Sequence, residues 1–323
     1  MSNLESDPRE AVCGGRAAVL TGPARDLLDG RDVALGGPRA MRVTRTLPTR
    51  GRRMVGAWCF ADLYGPERAV MRVPPHPHTG LQTVSWLVEG EVLHRDSVGT
   101  EQLVTPGRLN LMTAGRGIAH SEESSPGTPV LHGAQLWVAL PGAHRHVAPH
   151  FEHHPELPVL SAPGAEVTVI MGELGGAASP AGVYTPLVGA QVRLDAGGEI
   201  RLPLEPGFEH ALLVLSGEVE ADGDAPEGAV TLAGGPLLYL GDGRSELALS
   251  ARRPARVLLL GGEPFAEEIV MWWNFVGRGH DEIVAFREEW ASGALGVVHG
   301  FDGPPLPAPA LPTSTLKPRG RER

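Results

Sequence analysis

Between about Ala40 and Leu140 the apolar residues come in runs too short for helices, each closed by a turn signal, and that punctuation confines the chain to strands. Met41 to Leu47, Met54 to Phe60, Arg68 to Val73, Gln82 to Val88, Glu91 to Asp96, Gln102 to Thr105, Leu109 to Thr113 and Leu131 to Leu140 read as strands. Glu89-Gly90, Val98-Gly99 and Pro106-Gly107 read as the tight turns between them. The supply of turn residues fits: 43 Gly and 30 Pro in 323 residues, with no collagen-like period. No amphipathic helix of ordinary length lies in this half. The first domain is therefore expected to be all-β, built from successive hairpins.

A second series follows with similar spacing, from Glu166 to Met171 through Gln191 to Leu194, Ala211 to Leu215 and Leu237 to Leu240 to Arg256 to Leu260. It repeats a hairpin of the same type, Leu215 to Val219 against Leu87 to Val92. Two copies of one architecture are expected. Pro141 to Pro163, where five prolines alternate with five histidines, reads as the connection, because proline donates no ladder hydrogen bond. The expected division is residues 1–145, a linker at 146–163, a second domain at 164–300 and a disordered tail at 301–323. One helix is expected near the end, capped by Asp281, with Ile283, Phe286 and Trp290 on one face and Gly293 as its stop.

Charge and residue usage exclude several functions. The net charge is −10, a surface that phosphate backbones repel, so no direct nucleic-acid binding is expected. Lys317 is the single lysine. Schiff-base chemistry and the phosphate-loop lysine are thereby absent from the body of the chain. Cys13 and Cys59 cannot build a disulfide framework, and Cys59, inside an apolar run, reads as an inert core thiol. Met1 to Glu10 shows no apolar signal region, and no apolar stretch is long enough for a membrane span. A soluble, cytoplasmic protein is expected.

The segment that carries chemistry is His76-Pro77-His78-Thr79-Gly80, followed 42 residues after His78 by His120-Ser121-Glu122. Residues i and i+2 of a strand share a face, so each pair aims two ligands in one direction. On neighbouring strands of a small barrel all four groups would converge on the interior. Three imidazoles and a carboxylate suit Fe(II), Mn, Ni, Cu or Zn, and the absence of cysteine argues against a closed structural zinc site. His94 sits on an adjacent strand, where hydrogen bonding to a ligand is the better reading than ligation. The tract His144, His146, His150, His153 and His154 reads as solvated linker, and His210 as a structural histidine. Gly115-Arg116-Gly117 lacks the third glycine and the following helix of a dinucleotide fingerprint. Trp272, Trp273 and Phe275 read as packing of the C-terminal segment against a barrel.

The stretch from His76 to Glu122, with its H-P-H-x-G start, the H-R-D-S of His94 to Ser97 and the M-T-A-G-x-G-I-x-H-S-E of Met112 to Glu122, resembles the pirin family of the cupin superfamily. Weaker similarity extends to Met41 to Leu47, Leu131 to Pro141 and Gly262 to Phe275. The resemblance implies an all-β bicupin: two jelly-roll cupin barrels with a short C-terminal helix, and metal in the first barrel only. It carries the ligand set onto His76, His78, His120 and Glu122. Pirins commonly have Glu four residues after the second histidine, where this chain has Gln82. Other cupins ligate metal through a Glu there. The pirin pattern places the fourth ligand at Glu122 instead and leaves Gln82 a hydrogen-bonding role around the ligands.

The resemblance further implies one divalent ion, Fe(II) before Mn, Ni, Cu or Zn. It implies cleavage of flavonols such as quercetin with O₂, with Glu122 as general base. The alternative it carries is a metal- or redox-sensing regulator acting through protein contacts, for which the sequence supplies no partner motif.

Overall fold

The computed structural model describes residues 11–14, 22–35, 41–49, 51–125, 127, 130–223 and 228–318. Strands dominate it, arranged as two barrels each made of a large and a small antiparallel sheet. The first barrel's seven-stranded sheet runs His150–His154, Leu109–Thr113, Leu81–Glu89, Val130–Ala139, Trp58–Arg68, Met41–Leu47, Arg31–Leu35. Its four-stranded partner runs Arg72–His78, Ile118–Ser124, Val92–Asp96, Glu101–Val104. The second barrel repeats the plan. Ala165–Leu174, Leu187–Leu194, Ala255–Gly262, Glu209–Ser216 and Leu237–Gly241 are neighbours in its large sheet, opposite a sheet of Glu199–Pro203, Glu246–Ser250, Glu218–Gly223 and Val230–Ala233. A three-stranded sheet joins Ala11–Gly14 to the hairpin Glu268–Trp272 and Phe275–Gly277. The bicupin expectation holds. Among the described residues no helix is long and apolar enough to cross a membrane.

Local sequence explains the placement of the key strand. Arg72–His78 contains Pro74, Pro75 and Pro77 and lies at the edge of its sheet, where its neighbour among the described residues is Ile118–Ser124. An edge strand needs donors on one side alone, so the prolines cost it little. Gly80 turns the chain with φ +68, and a Cβ there would sit 2.2 Å from the Val276 carbonyl oxygen. Only glycine fits that turn.

The large sheets of the two barrels pack on each other through one shared apolar cluster. Trp58, Val84, Trp86 and Leu111 meet Ile170, Met171, Leu213, Tyr239 and Leu260 in it. Trp58 donates its indole N–H to the Val188 and Gly261 carbonyls, at 3.2 and 3.1 Å, and Trp86 donates to Gln191 Oε1 at 3.1 Å. Gly189 is small because the Trp58 ring would meet its Cβ at 2.8 Å. Buried Glu209 of the second barrel accepts from the Gly56 amide and the Tyr239 hydroxyl, both at 2.9 Å. Trp58→Ala removes a fully buried ring and both indole bonds, so it is expected to cost about 3–5 kcal/mol. Urea denaturation measures this, and an unshifted midpoint would mean that the inter-barrel contact carries little of the stability.

Several segments depart from expectation. Pro23–Leu28, inside the expected first domain, pairs with Leu237–Gly241 of the second barrel. The expected strands Met54 to Phe60 and Arg68 to Val73 become Trp58–Arg68 and Arg72–His78. Residues 146–163 are not a free linker: His150–His154 is an edge strand against Leu109–Thr113, and Val159–Ala162 pairs with Ala165–Leu174. The prolines flank these strands rather than interrupt them. The helix spans His280–Ala291 and is capped by Gly279, so Asp281 lies within its first turn. There it still complements the helix dipole. Gly293 ends the helix with φ +77, as expected.

Residues 301–318 pack where a disordered tail was expected, and 319–323 lie outside the described residues. The Leu306 amide donates to the Pro75 carbonyl at 2.9 Å, and Trp290 and Arg287 donate to the Leu306 and Pro309 carbonyls at 2.8 and 2.7 Å. Prolines stiffen the segment before it docks, which lowers the entropy lost on ordering it. Composition alone carries no sign of those docking partners.

Candidate metal centre

Strand alternation sorts the first barrel's side chains into two environments. Gln82, Val84 and Trp86 face the second barrel, whereas Thr83, Ser85 and Leu87 face inward. A bulge between Trp137 and Val138 pairs Phe60 with Trp137 and Trp58 with Val138, so neighbouring aromatics turn to opposite faces. The inward set is polar and aromatic. Arg45 donates Nε–H and Nη2–H to the two Asp62 oxygens at 2.8 and 2.9 Å, and its guanidinium lies 4.4 Å from the Phe60 ring centre. Phe60 stacks on Trp137 at 4.0 Å, and Trp137 meets the His78 ring edge-on at 5.1 Å. Ser85 donates to Gln135 at 3.0 Å.

Onto this interior the edge strand Arg72–His78 projects His76 and His78, and its neighbour Ile118–Ser124 projects His120, directly opposite His76. The three imidazoles are at most 1% exposed, and one nitrogen from each lies within 4.8 Å of the others. His78 Nε2 and His120 Nε2 are 3.1 Å apart. That is about the spacing of two nitrogens that each stand roughly 2.1 Å from one ion at near right angles. Among the described residues, this is the group with such convergence.

The protonation chemistry fits a metal. Burial pushes the His76 ring down to about 4, against the pull of the Pro74 carbonyl and the Glu122 charge. Burial and the neighbouring rings hold His78 and His120 well below the ordinary histidine range. All three are neutral at pH 7, the form that ligates. His76 Nδ1 lies 2.8 Å from the Pro74 carbonyl, which places its proton on Nδ1 and the lone pair on Nε2. For His78 the Asn274 backbone pulls upward, but burial outweighs it. The residues present fit a divalent ion held through Nε2 atoms.

Glu122 follows on the same strand after a bulge that pairs it with Val73 on one side and His94 on the other. It is 3% exposed, and its charge is felt by His76 and by Tyr64, whose hydroxyl it pushes upward together with burial. His94 Nδ1 lies 3.3 Å from His120 Nδ1, and Phe151 of the edge strand His150–His154 stacks on the His94 ring at 4.5 Å.

Gln82 does not join this set. It faces the second barrel, donating to Thr113 Oγ1 at 3.0 Å and to the Gly182 carbonyl at 3.1 Å. A glutamate here would have no proton for that carbonyl, so Gln82 ties the loop at Gly182 to the first barrel. Sequence reasoning missed Arg45, Asp62, Gln135 and Phe151; for the first three the available signal was a polar residue inside an apolar strand, whereas Phe151 stands in a polar tract that gave none. His210 is buried and lines a pocket at the second barrel, whose apolar cluster is built mainly from aliphatic side chains.

Comparison with known proteins agrees with this architecture. The family model for pirin matches residues 40–138, and that for the pirin C-terminal cupin domain matches residues 189–296. A Pseudomonas aeruginosa protein named "Putative quercetin 2,3-dioxygenase PA1205" is 46% identical over 87% of this chain and 89% of its own. The crystal structure of quercetin 2,3-dioxygenase from Acinetobacter baumannii matches with a TM-score of 0.84 at 39% identity, over 91% of this chain and 98% of that one. The Escherichia coli pirin YhhW, solved in complex with nickel(II), matches with a TM-score of 0.58 at 19% identity over 75% of this chain and 100% of that one. At that identity the likeness is one of fold.

Proposed function

This chain belongs to the pirin family, and from that premise we propose that it is a mononuclear metal dioxygenase that cleaves flavonols such as quercetin with O₂. The single observation that carries the reading is the convergence of three neutral, buried imidazoles on the polar, aromatic interior of the first barrel, the one such group among the described residues. His76, His78 and His120 would hold the ion through Nε2, and Glu122 would complete the set. Fe(II) is the first choice, and Mn, Ni, Cu and Zn suit the same donors. A bound divalent ion supplies Lewis acidity and open positions that orient an oxygen-bearing substrate.

The protein's own groups do the rest. Glu122, a buried carboxylate beside His76, takes the proton of the substrate's enolic hydroxyl onto a carboxylate oxygen. Trp137, stacked on Phe60, and Phe151, stacked on His94, pack apolar rings beside the imidazoles and keep bulk water away from them. Oxygen uptake measured on the Fe(II)-loaded protein, prepared anaerobically and then given quercetin, tests the proposal. Uptake equal to the flavonol consumed, with release of carbon monoxide, is expected. A fully loaded protein that consumes no oxygen would point instead to the regulatory reading, in which the metal controls contact with another protein.

A further inference from the structure

The His94-Arg95-Asp96-Ser97 segment ends the strand Val92–Asp96 beside His120, and none of its side chains reaches the three-nitrogen group itself. Its hydrogen bonds nevertheless run in one direction. Asp96 Oδ1 accepts the amides of Val98 and Thr100 at 3.0 and 2.9 Å, which closes the turn into Glu101–Val104 and fixes the carboxylate. Asp96 Oδ2 lies 3.2 Å from His94 Nε2. His94 Nδ1 lies 3.3 Å from His120 Nδ1, and His120 Nε2 faces His78. Ser97 anchors the segment from both sides: its hydroxyl donates to the Leu295 carbonyl at 2.9 Å and accepts the Ala119 amide at 3.0 Å. Phe151 covers the open face of the His94 ring.

A carboxylate only accepts, so His94 must carry its proton on Nε2. With that one proton on the ring, His94 presents a lone pair at Nδ1 to His120. The one assignment that satisfies the next contact puts the His120 proton on Nδ1 and its lone pair on Nε2. We propose that Asp96 and His94 form a positioning pair that sets the tautomer of His120, so that the third imidazole is ready to ligate before the metal arrives. The inference rests on the metal reading above. It goes beyond it in assigning a function to Asp96, two residues removed along the hydrogen-bonded path from the ion.

Reversing the polarity of the path makes this testable. In Asp96→Asn the side-chain oxygen stays on the Val98 and Thr100 amides, so the turn survives and the new NH₂ faces His94 Nε2. His94 must then protonate at Nδ1 and donate to His120 Nδ1, which moves the His120 proton to Nε2 and blocks ligation. His94→Phe keeps the stack on Phe151 but frees His120 to choose either tautomer.

Titration of the apo proteins with Ni(II) alone, by competition with a fluorescent chelator, gives the readout. Asp96→Asn is expected to weaken Ni(II) binding by roughly ten- to hundredfold, in the range seen for partners of metal-bound histidines. His94→Phe is expected to cost less, although it lies closer to the ligand. The double variant is expected to recover the affinity of His94→Phe. Wild-type affinity in Asp96→Asn, or a double variant as weak as Asp96→Asn, would overturn the proposal, the latter by showing that the substitution damages the turn rather than the proton order. Failure of the wild-type protein itself to bind Ni(II) would instead remove the metal reading on which the pair depends.

Discussion

Extensively dialysed protein is expected to retain one equivalent of transition metal per chain, and the His76→Ala/His120→Ala double variant close to none. The reason lies in the contrast between two barrels of the same plan. The first turns three imidazoles, Glu122, the Arg45–Asp62 pair and Gln135 toward its interior. The second fills the same space with Val167, Val169, Val192, Leu212, Val214, Leu238, Val257 and Leu259. Between Glu166 and Glu263 the sequence holds one histidine, His210, and no cysteine. Burial, aided by the Arg244 charge, pushes His210 down to about 4, but one neutral imidazole with no second imidazole beside it does not make a transition-metal site.

The competitor to be dialysed away is the strand His150–His154, where Glu152 lies 3.0 Å from His154 Nε2 and 3.6 Å from His150 Nε2 at the surface. Metal bound to the native three-histidine site also stabilises the fold by mass action, about 2.7 kcal/mol at a hundredfold excess over the dissociation constant. For barrels of this size that raises the melting temperature by roughly 5–10 °C, and the double variant should lose the rise. A second equivalent that survives both substitutions would show that the second barrel or the edge strand binds metal after all.

Much of that contrast is legible in the order of the amino acids. The H-x-H pair and the His120 of H-x-E single out the three histidines because a strand's side chains alternate and so short a pair declares its face, even though a bulge follows His120. The second barrel's lack of donors is a matter of composition. Gln82 escapes the same logic: it lies beyond Gly80, where the chain turns into another sheet, and parity cannot be carried through a turn. The bulge between Trp137 and Val138 has a similar effect on Trp58 and Phe60, two residues apart yet facing different barrels. The tail defeats a compositional reading because a proline-rich segment looks the same in sequence whether or not Trp290, Arg287 and Pro75 wait to receive its backbone. The pairing of Pro23–Leu28 with Leu237–Gly241 joins segments far apart in the chain, a contact that local pattern does not encode.

Glu122→Gln is expected to separate metal holding from turnover. The substitution keeps the size of the side chain and removes its charge and its basicity. Three imidazoles remain, already neutral and already facing one another, so the variant should still take up metal, with lower affinity because the anionic donor is lost. Flavonol oxidation, in contrast, needs a group to accept the substrate's hydroxyl proton. The interior offers few substitutes: Asp62 is bound at both oxygens by Arg45, and Asp96 is held by His94, Val98 and Thr100. Burial alone would raise the Asp96 carboxyl, yet the His94 ring and the Thr100 amide hold it below its ordinary range, and those same partners occupy its oxygens. Oxygen uptake at equal metal loading should therefore fall on the order of 10²- to 10⁴-fold, the usual contribution of a placed general base. Equal loading is essential, because it removes the ligand contribution from the comparison and leaves the proton transfer. Wild-type uptake in the loaded variant would mean that the substrate reaches the centre already deprotonated, or that the proton leaves by way of solvent, and Glu122 would then be a ligand and nothing more.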